Sequence, residues 1–121
     1  MRKRVAALVD RARGKVEVVL GDYTAAPDVA ATWFVDPPYQ PVPCKKTARP
    51  RGAGYAGPPL DYRALGEWCR GRAGQVLVAE QAPAAWLPFR PLAYHGNALG
   101  ERGLEVLWTS EPLAQTELGL A

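Results

Sequence analysis

Apolar residues recur along this chain with two periods, and the switches between them outline its elements. Val5, Leu8, Val9 and Ala12 stand at i, i+3, i+4 and i+7, one stripe of a helix that Gly14 can end. Val16-Glu17-Val18-Val19-Leu20 reads as a short, largely buried strand closed by Gly21-Asp22-Tyr23, and Pro27-Asp28 as a turn or short helical link. Thr32-Trp33-Phe34-Val35 is a second strand, halted at Asp36-Pro37-Pro38-Tyr39 because proline cannot extend a central ladder. Residues 40–59, with five prolines and three glycines, predict a long loop of the kind that carries function or moves. Asp61 can then cap a helix whose Tyr62, Leu65, Trp68 and Cys69 share a face, with Gly74 as its stop. Residues 75–80 predict a third buried strand and residues 83–90 an irregular or short helical link. Leu92–His95 and Leu104–Thr109 predict a hairpin across the Gly-rich segment 96–103, with Leu104, Val106 and Trp108 alternating against wetter positions.

Helices and strands in this order predict an α/β fold: a doubly wound parallel sheet ending in an antiparallel hairpin. Ligands of such sheets bind at the carboxyl ends of the strands, and both Gly21-Asp22-Tyr23 and Asp36–Tyr39 would lie there.

Composition narrows the chemistry. The 121 residues suit one domain, 1–109, followed by an acidic tail, 110–121. No apolar run reaches the length of a membrane span, and the basic start Met1-Arg2-Lys3-Arg4 lacks the apolar core of a secretory signal. Two cysteines make no disulfide scaffold, so a reducing cytoplasm is the expected location. With one histidine, His95, and one serine, Ser110, neither a four-ligand zinc site nor a Ser-His-Asp hydrolase is supplied. Any catalysis would therefore rest on positioning. Trp68 and Trp86 read as core residues, Cys69 as a buried thiol and His95 as structural or exposed.

The net charge is +3, and its distribution says more than its size. Arg2, Lys3, Arg4, Arg11, Arg13 and Lys15 crowd the first 15 residues against Asp10 alone. A second cluster, Lys45, Lys46, Arg49 and Arg51, lies in the long loop with no acid between Asp36 and Asp61. Its place just after the Pro-Pro segment suits contact with nucleic-acid phosphates.

Asp36-Pro37-Pro38-Tyr39 is the segment richest in chemistry. Two prolines fix φ and leave their carbonyls outside the ladder, Asp36 presents an acceptor and Tyr39 a flat ring. Such a set suits an amino group on an aromatic ring, with two acceptors for its N–H donors and a π-face for stacking. The tetrapeptide resembles the D-P-P-Y motif of S-adenosylmethionine-dependent amino-methyltransferases, above all the DNA adenine-N6 methyltransferases. Glu67-Trp68-Cys69-Arg70-x-Arg72-x-Gly74-Gln75-Val76 and Trp86-Leu87-Pro88-Phe89-Arg90-Pro91 are similar to small bacterial and phage methylase-like proteins, and the likeness runs from about residue 16 to 109.

That resemblance implies a partial Rossmann-like methyltransferase sheet and roles for single residues. Asp36 and the Pro37 carbonyl would accept hydrogen bonds from the target amino group, with Pro38 completing the elbow. Tyr39 would stack on a base flipped out of the duplex, and the methyl would pass by in-line displacement. Asp22, with Tyr23 beside it, matches an acidic position that contacts the adenine of S-adenosylmethionine in these enzymes. The family's F-x-G-x-G segment, which receives that cofactor, has no counterpart before residue 16. Gly52-Ala53-Gly54-Tyr55-Ala56-Gly57 does not replace it, since no strand precedes it and Pro58-Pro59 follow. The resemblance thus implies a truncated or minimal adenine-N6 DNA methyltransferase whose cofactor site needs a second subunit, a second copy or a missing segment. The alternatives are a catalytically inactive nucleic-acid-binding or partner module on the same scaffold, and an RNA amino-methyltransferase. DNA is the expected partner, RNA the alternative, and no membrane is expected.

Overall fold

The computed structural model describes residues 9–41, 58–96 and 102–112, with backbone alone at 94–96 and 102. Four strands, β1 (Trp33–Val35), β2 (Val76–Gln81), β3 (Arg90–Gly96) and β4 (Arg102–Thr109), form one mixed sheet in the order β1-β2-β4-β3. β1 and β2 are parallel, with Trp33 beside Val76 and Val35 beside Val78. β4 runs antiparallel to both β2 and β3. The chain is a small α/β protein in which one parallel pair is extended by an antiparallel hairpin.

Helix α1 (Tyr62–Arg70) makes the crossover between the parallel strands. Asp61 caps it as its sequence predicts, its carboxylate accepting the Ala64 N–H at 3.0 Å. The helix ends at Gly71, three residues before the expected stop. Gly74 serves a different turn: its φ is +93°, and a Cβ there would lie 2.0 Å from the Ala31 carbonyl oxygen. This close approach lets the chain entering β2 run beside the chain entering β1, where the Ala31 N–H donates to the Ala73 carbonyl.

Period-2 alternation sets the two faces of the sheet. Val76, Val78 and Trp108 point to the same side and pack with Leu65 and Cys69 of α1 and with Leu87. Burying a valine or leucine side chain of this kind stabilises the fold by about 1.5–3 kcal/mol. Tyr23, Trp33 and Trp68 close the margin of this core through edge-to-face ring contacts. Trp68 and Trp86 are half-buried, whereas Cys69 is fully buried, which pushes its thiol pKa up to about 11. Gly66 lets α1 approach the segment after β2, since a Cβ would stand 3.2 Å from the Trp86 carbonyl oxygen. On the opposite side, Phe34, Leu77, Ala79 and Leu107 are exposed or half-exposed, with Phe34 at 68%.

One expected strand is absent. Residues 16–20 form no ladder, and Val18 and Leu20 are 90% and 100% exposed. Apolar, β-branched composition favours a strand only where neighbouring strands supply hydrogen bonds and a packed face. Residues 9–12 are helical, in keeping with the stripe that includes Val9 and Ala12, while Val5 and Leu8 lie outside the described residues. Also outside them are most of the loop 40–59, the tip of the hairpin and most of the acidic tail. No helix among the described residues is long and apolar enough to cross a membrane.

Candidate functional site

Parallel pairing brings the carboxyl ends of β1 and β2 to the same edge of the sheet, and Asp36-Pro37-Pro38-Tyr39 leaves from that edge. Pro37 is buried, Tyr39 is half-buried, and Asp36 and Pro38 are exposed. The elbow is thus rooted by one proline while its acid faces solvent.

Hydrogen bonds at Pro38 and Gln40 tie the elbow to other described residues. The Tyr62 hydroxyl, at the first position of α1, donates to the Pro38 carbonyl at 2.8 Å. The Gln40 N–H donates to both oxygens of Glu80, at 3.2 Å to Oε1 and 3.1 Å to Oε2. Glu80 is completely buried and also accepts the Gln81 N–H at 2.9 Å and the Trp86 indole N–H at 2.9 Å. The Trp86 ring lies 5.7 Å from Tyr62 and 5.1 Å, edge on, from Phe89. The two ties therefore meet in one aromatic cluster beneath the elbow.

Among the described residues, no hydrogen bond takes up the Asp36 carboxylate or the Pro37 carbonyl oxygen, the two acceptors assigned to a target amino group. The next carbonyl along, Pro38, is already occupied by Tyr62. An exposed carboxylate can serve an incoming N–H donor without first surrendering an internal bond.

The other assigned residues are placed differently. Asp22 caps a 3-10 turn, Tyr23–Ala25. Its Oδ1 accepts the Thr24 N–H at 2.9 Å and the Thr24 hydroxyl at 2.6 Å. These bonds hold its carboxyl below the usual value. Tyr23 is half-buried, with its ring edge on Trp68 and their centroids 5.3 Å apart. Local folding thus gives both residues a structural role, while Oδ2 of Asp22 remains open to solvent. Lys45, Lys46, Arg49 and Arg51, and the glycines 52–57, lie outside the described residues. No group of three or more metal-ligating side chains occurs among the described residues.

Sequence reasoning missed Glu80, Tyr62 and Trp86 as supports of the elbow. A signal was available for Glu80. In Val76-Leu77-Val78-Ala79-Glu80, period 2 places the glutamate on the same inward face as the two valines, and a carboxylate at a core position demands donors. Gln81 and Trp86 supply two of those donors from nearby in sequence, but the Gln40 N–H comes from 40 residues away, a separation that no local pattern reveals.

Compared with models of known families, with curated proteins and with solved structures, the chain matches none.

Proposed function

We propose that this chain is the target-recognition half of an S-adenosylmethionine-dependent DNA adenine-N6 methyltransferase, a partial Rossmann-like sheet that binds the exocyclic amino group of adenine. The observation that carries this reading is the elbow: D-P-P-Y at the carboxyl end of a parallel strand, anchored at Pro38 and Gln40, with no hydrogen bond on the Asp36 carboxylate or the Pro37 carbonyl among the described residues. Two acceptors match the two N–H bonds of an amino group and leave its nitrogen lone pair unengaged, as methyl transfer requires. Basic residues of the following loop, Lys45, Lys46, Arg49 and Arg51, suit phosphate contacts that fix the strand without reading its sequence. The parallel pair supports only part of the sheet that the resemblance implies, without a strand over residues 16–20.

A second reading, a nucleic-acid-binding module without catalysis, is favoured by Asp22 and Tyr23 being engaged within the fold. Titration calorimetry with millimolar S-adenosylmethionine separates the two. Heat that disappears in Asp22→Ala assigns a donor site to this chain, whereas no heat leaves target recognition as its function.

The recognition claim is tested with duplex DNA carrying one adenine opposite an abasic position, which removes the cost of unpairing. A matched duplex carries purine, which lacks the amino group, and an RNA pair is measured in parallel. The adenine DNA should bind roughly tenfold tighter than the purine DNA. Equal affinities would overturn the reading, and discrimination confined to RNA would change the substrate.

A further inference from the structure

Glu80 is the only buried charged residue among those described, and its environment is one-sided. Its three partners, the backbone N–H groups of Gln40 and Gln81 and the indole N–H of Trp86, are all donors. A carboxylate, with two acceptor oxygens and no donor, satisfies all three. The three come from three places: the chain just past Tyr39, the end of β2, and the link between β2 and β3. No other backbone hydrogen bond ties Gln40 to the described residues.

We propose that Glu80 is a positioning residue for the elbow, fixing the exit of the Asp36–Tyr39 segment so that Asp36, the Pro37 carbonyl and Tyr39 share one amino-bearing base. This inference rests on the target-recognition reading and assigns Glu80 no contact with the base. Tyr62 holds the segment at Pro38 and Glu80 holds it at Gln40, so Tyr39 lies between two fixed points. Without the second point the ring of Tyr39 and the two acceptors can still form, but their mutual geometry loosens. For groups that act by alignment, loosening weakens selection before it abolishes binding.

Glu80→Gln is the discriminating variant. It keeps the shape but presents an amide NH2 where an oxygen stood, so in either orientation that NH2 faces the Gln40 N–H and one further donor, Gln81 or Trp86. Two readouts are taken on variant and parent at a temperature where both are folded: hydrogen exchange of the Gln40 amide, and the affinity ratio for the adenine and purine duplexes. In Glu80→Gln the Gln40 amide should exchange roughly tenfold faster and the adenine preference should fall toward unity, while phosphate-driven affinity for the purine duplex stays unchanged. Trp86→Phe in the Glu80→Gln background removes the indole donor, lets the amide turn its oxygen toward Gln40 and Gln81, and should restore both readouts in part. If Glu80→Gln alone does not fold, Gln40→Pro, which removes the N–H that ties the elbow to Glu80, is read by the same affinity ratio and should likewise lose the adenine preference. Unchanged Gln40 exchange, or faster exchange with an intact adenine preference, overturns the positioning role. A parent protein with no adenine preference instead overturns the recognition reading itself, so the two failures are told apart.

Discussion

Two runs of this chain have nearly the same composition and opposite fates. Val16-Glu17-Val18-Val19-Leu20 lies exposed without a ladder partner, whereas Val76–Gln81 is a central strand whose inward residues are fully buried. The difference lies in what surrounds each. β2 has β1 on one side, β4 on the other and α1 across one face, so its backbone groups are paired and Val76 and Val78 leave water. Residues 16–20 have none of these neighbours among the described residues. A strand is a property of a sheet more than of a segment, and propensity alone does not overcome the entropy of ordering a chain.

The comparison is broken most severely by moving one charge between the two runs. Val78→Asp places an unpaired carboxylate in the core and should cost more than about 4 kcal/mol, enough to unfold a small domain, while Val18→Asp should stay within about 0.5 kcal/mol. Urea unfolding of both variants gives the two values side by side.

A smaller contrast uses glycine. Gly74→Ala combines a positive φ with a Cβ driven onto the Ala31 carbonyl, and a loss of about 2–3 kcal/mol is expected from chemical denaturation. Gly21→Ala, at the end of the loose run, meets nothing within 4 Å and should leave stability unchanged or slightly raised.

The third contrast concerns pH. Burial raises the Cys69 thiol from 9.0 to about 11, so the native state disfavours the thiolate and the unfolded chain does not. The stability linked to this group is complete below pH 9 and is lost as pH rises to about 11, with a total on the order of 2 kcal/mol. Unfolding curves at pH 8 and pH 11 should show this fall in the parent chain beyond any fall in Cys69→Ala. An equal fall in both would assign the change to other groups.

Much of the fold was legible because its signals are local. Asp61 before an amphipathic run announced α1, the aromatic and β-branched residues before Asp36 announced β1, and alternation in 104–109 announced β4. The failure at 16–20 has the same origin, since a local pattern cannot report whether a neighbouring strand exists. The site divides in the same way. Asp36–Tyr39 stood out from its residue types alone, but its supports did not, because Tyr62 and Glu80 reach it across 24 and 40 residues of sequence. Asp22 illustrates the reverse: position suggested a ligand contact, and the folded chain uses one of its oxygens as a cap for its own turn.

If the elbow receives an exocyclic amino group as proposed, Asp36 is the residue whose loss should alter recognition most and folding least. Asp36 is exposed, with no partner among the described residues, so Asp36→Ala should leave the unfolding midpoint unchanged. The direct measurement is the adenine-to-purine affinity ratio of Asp36→Ala on the abasic-opposed DNA duplexes, taken beside the parent chain. The parent ratio should lie near ten and fall to about one in the variant, with purine affinity unaltered. A variant that still prefers adenine as strongly as its parent would contradict it.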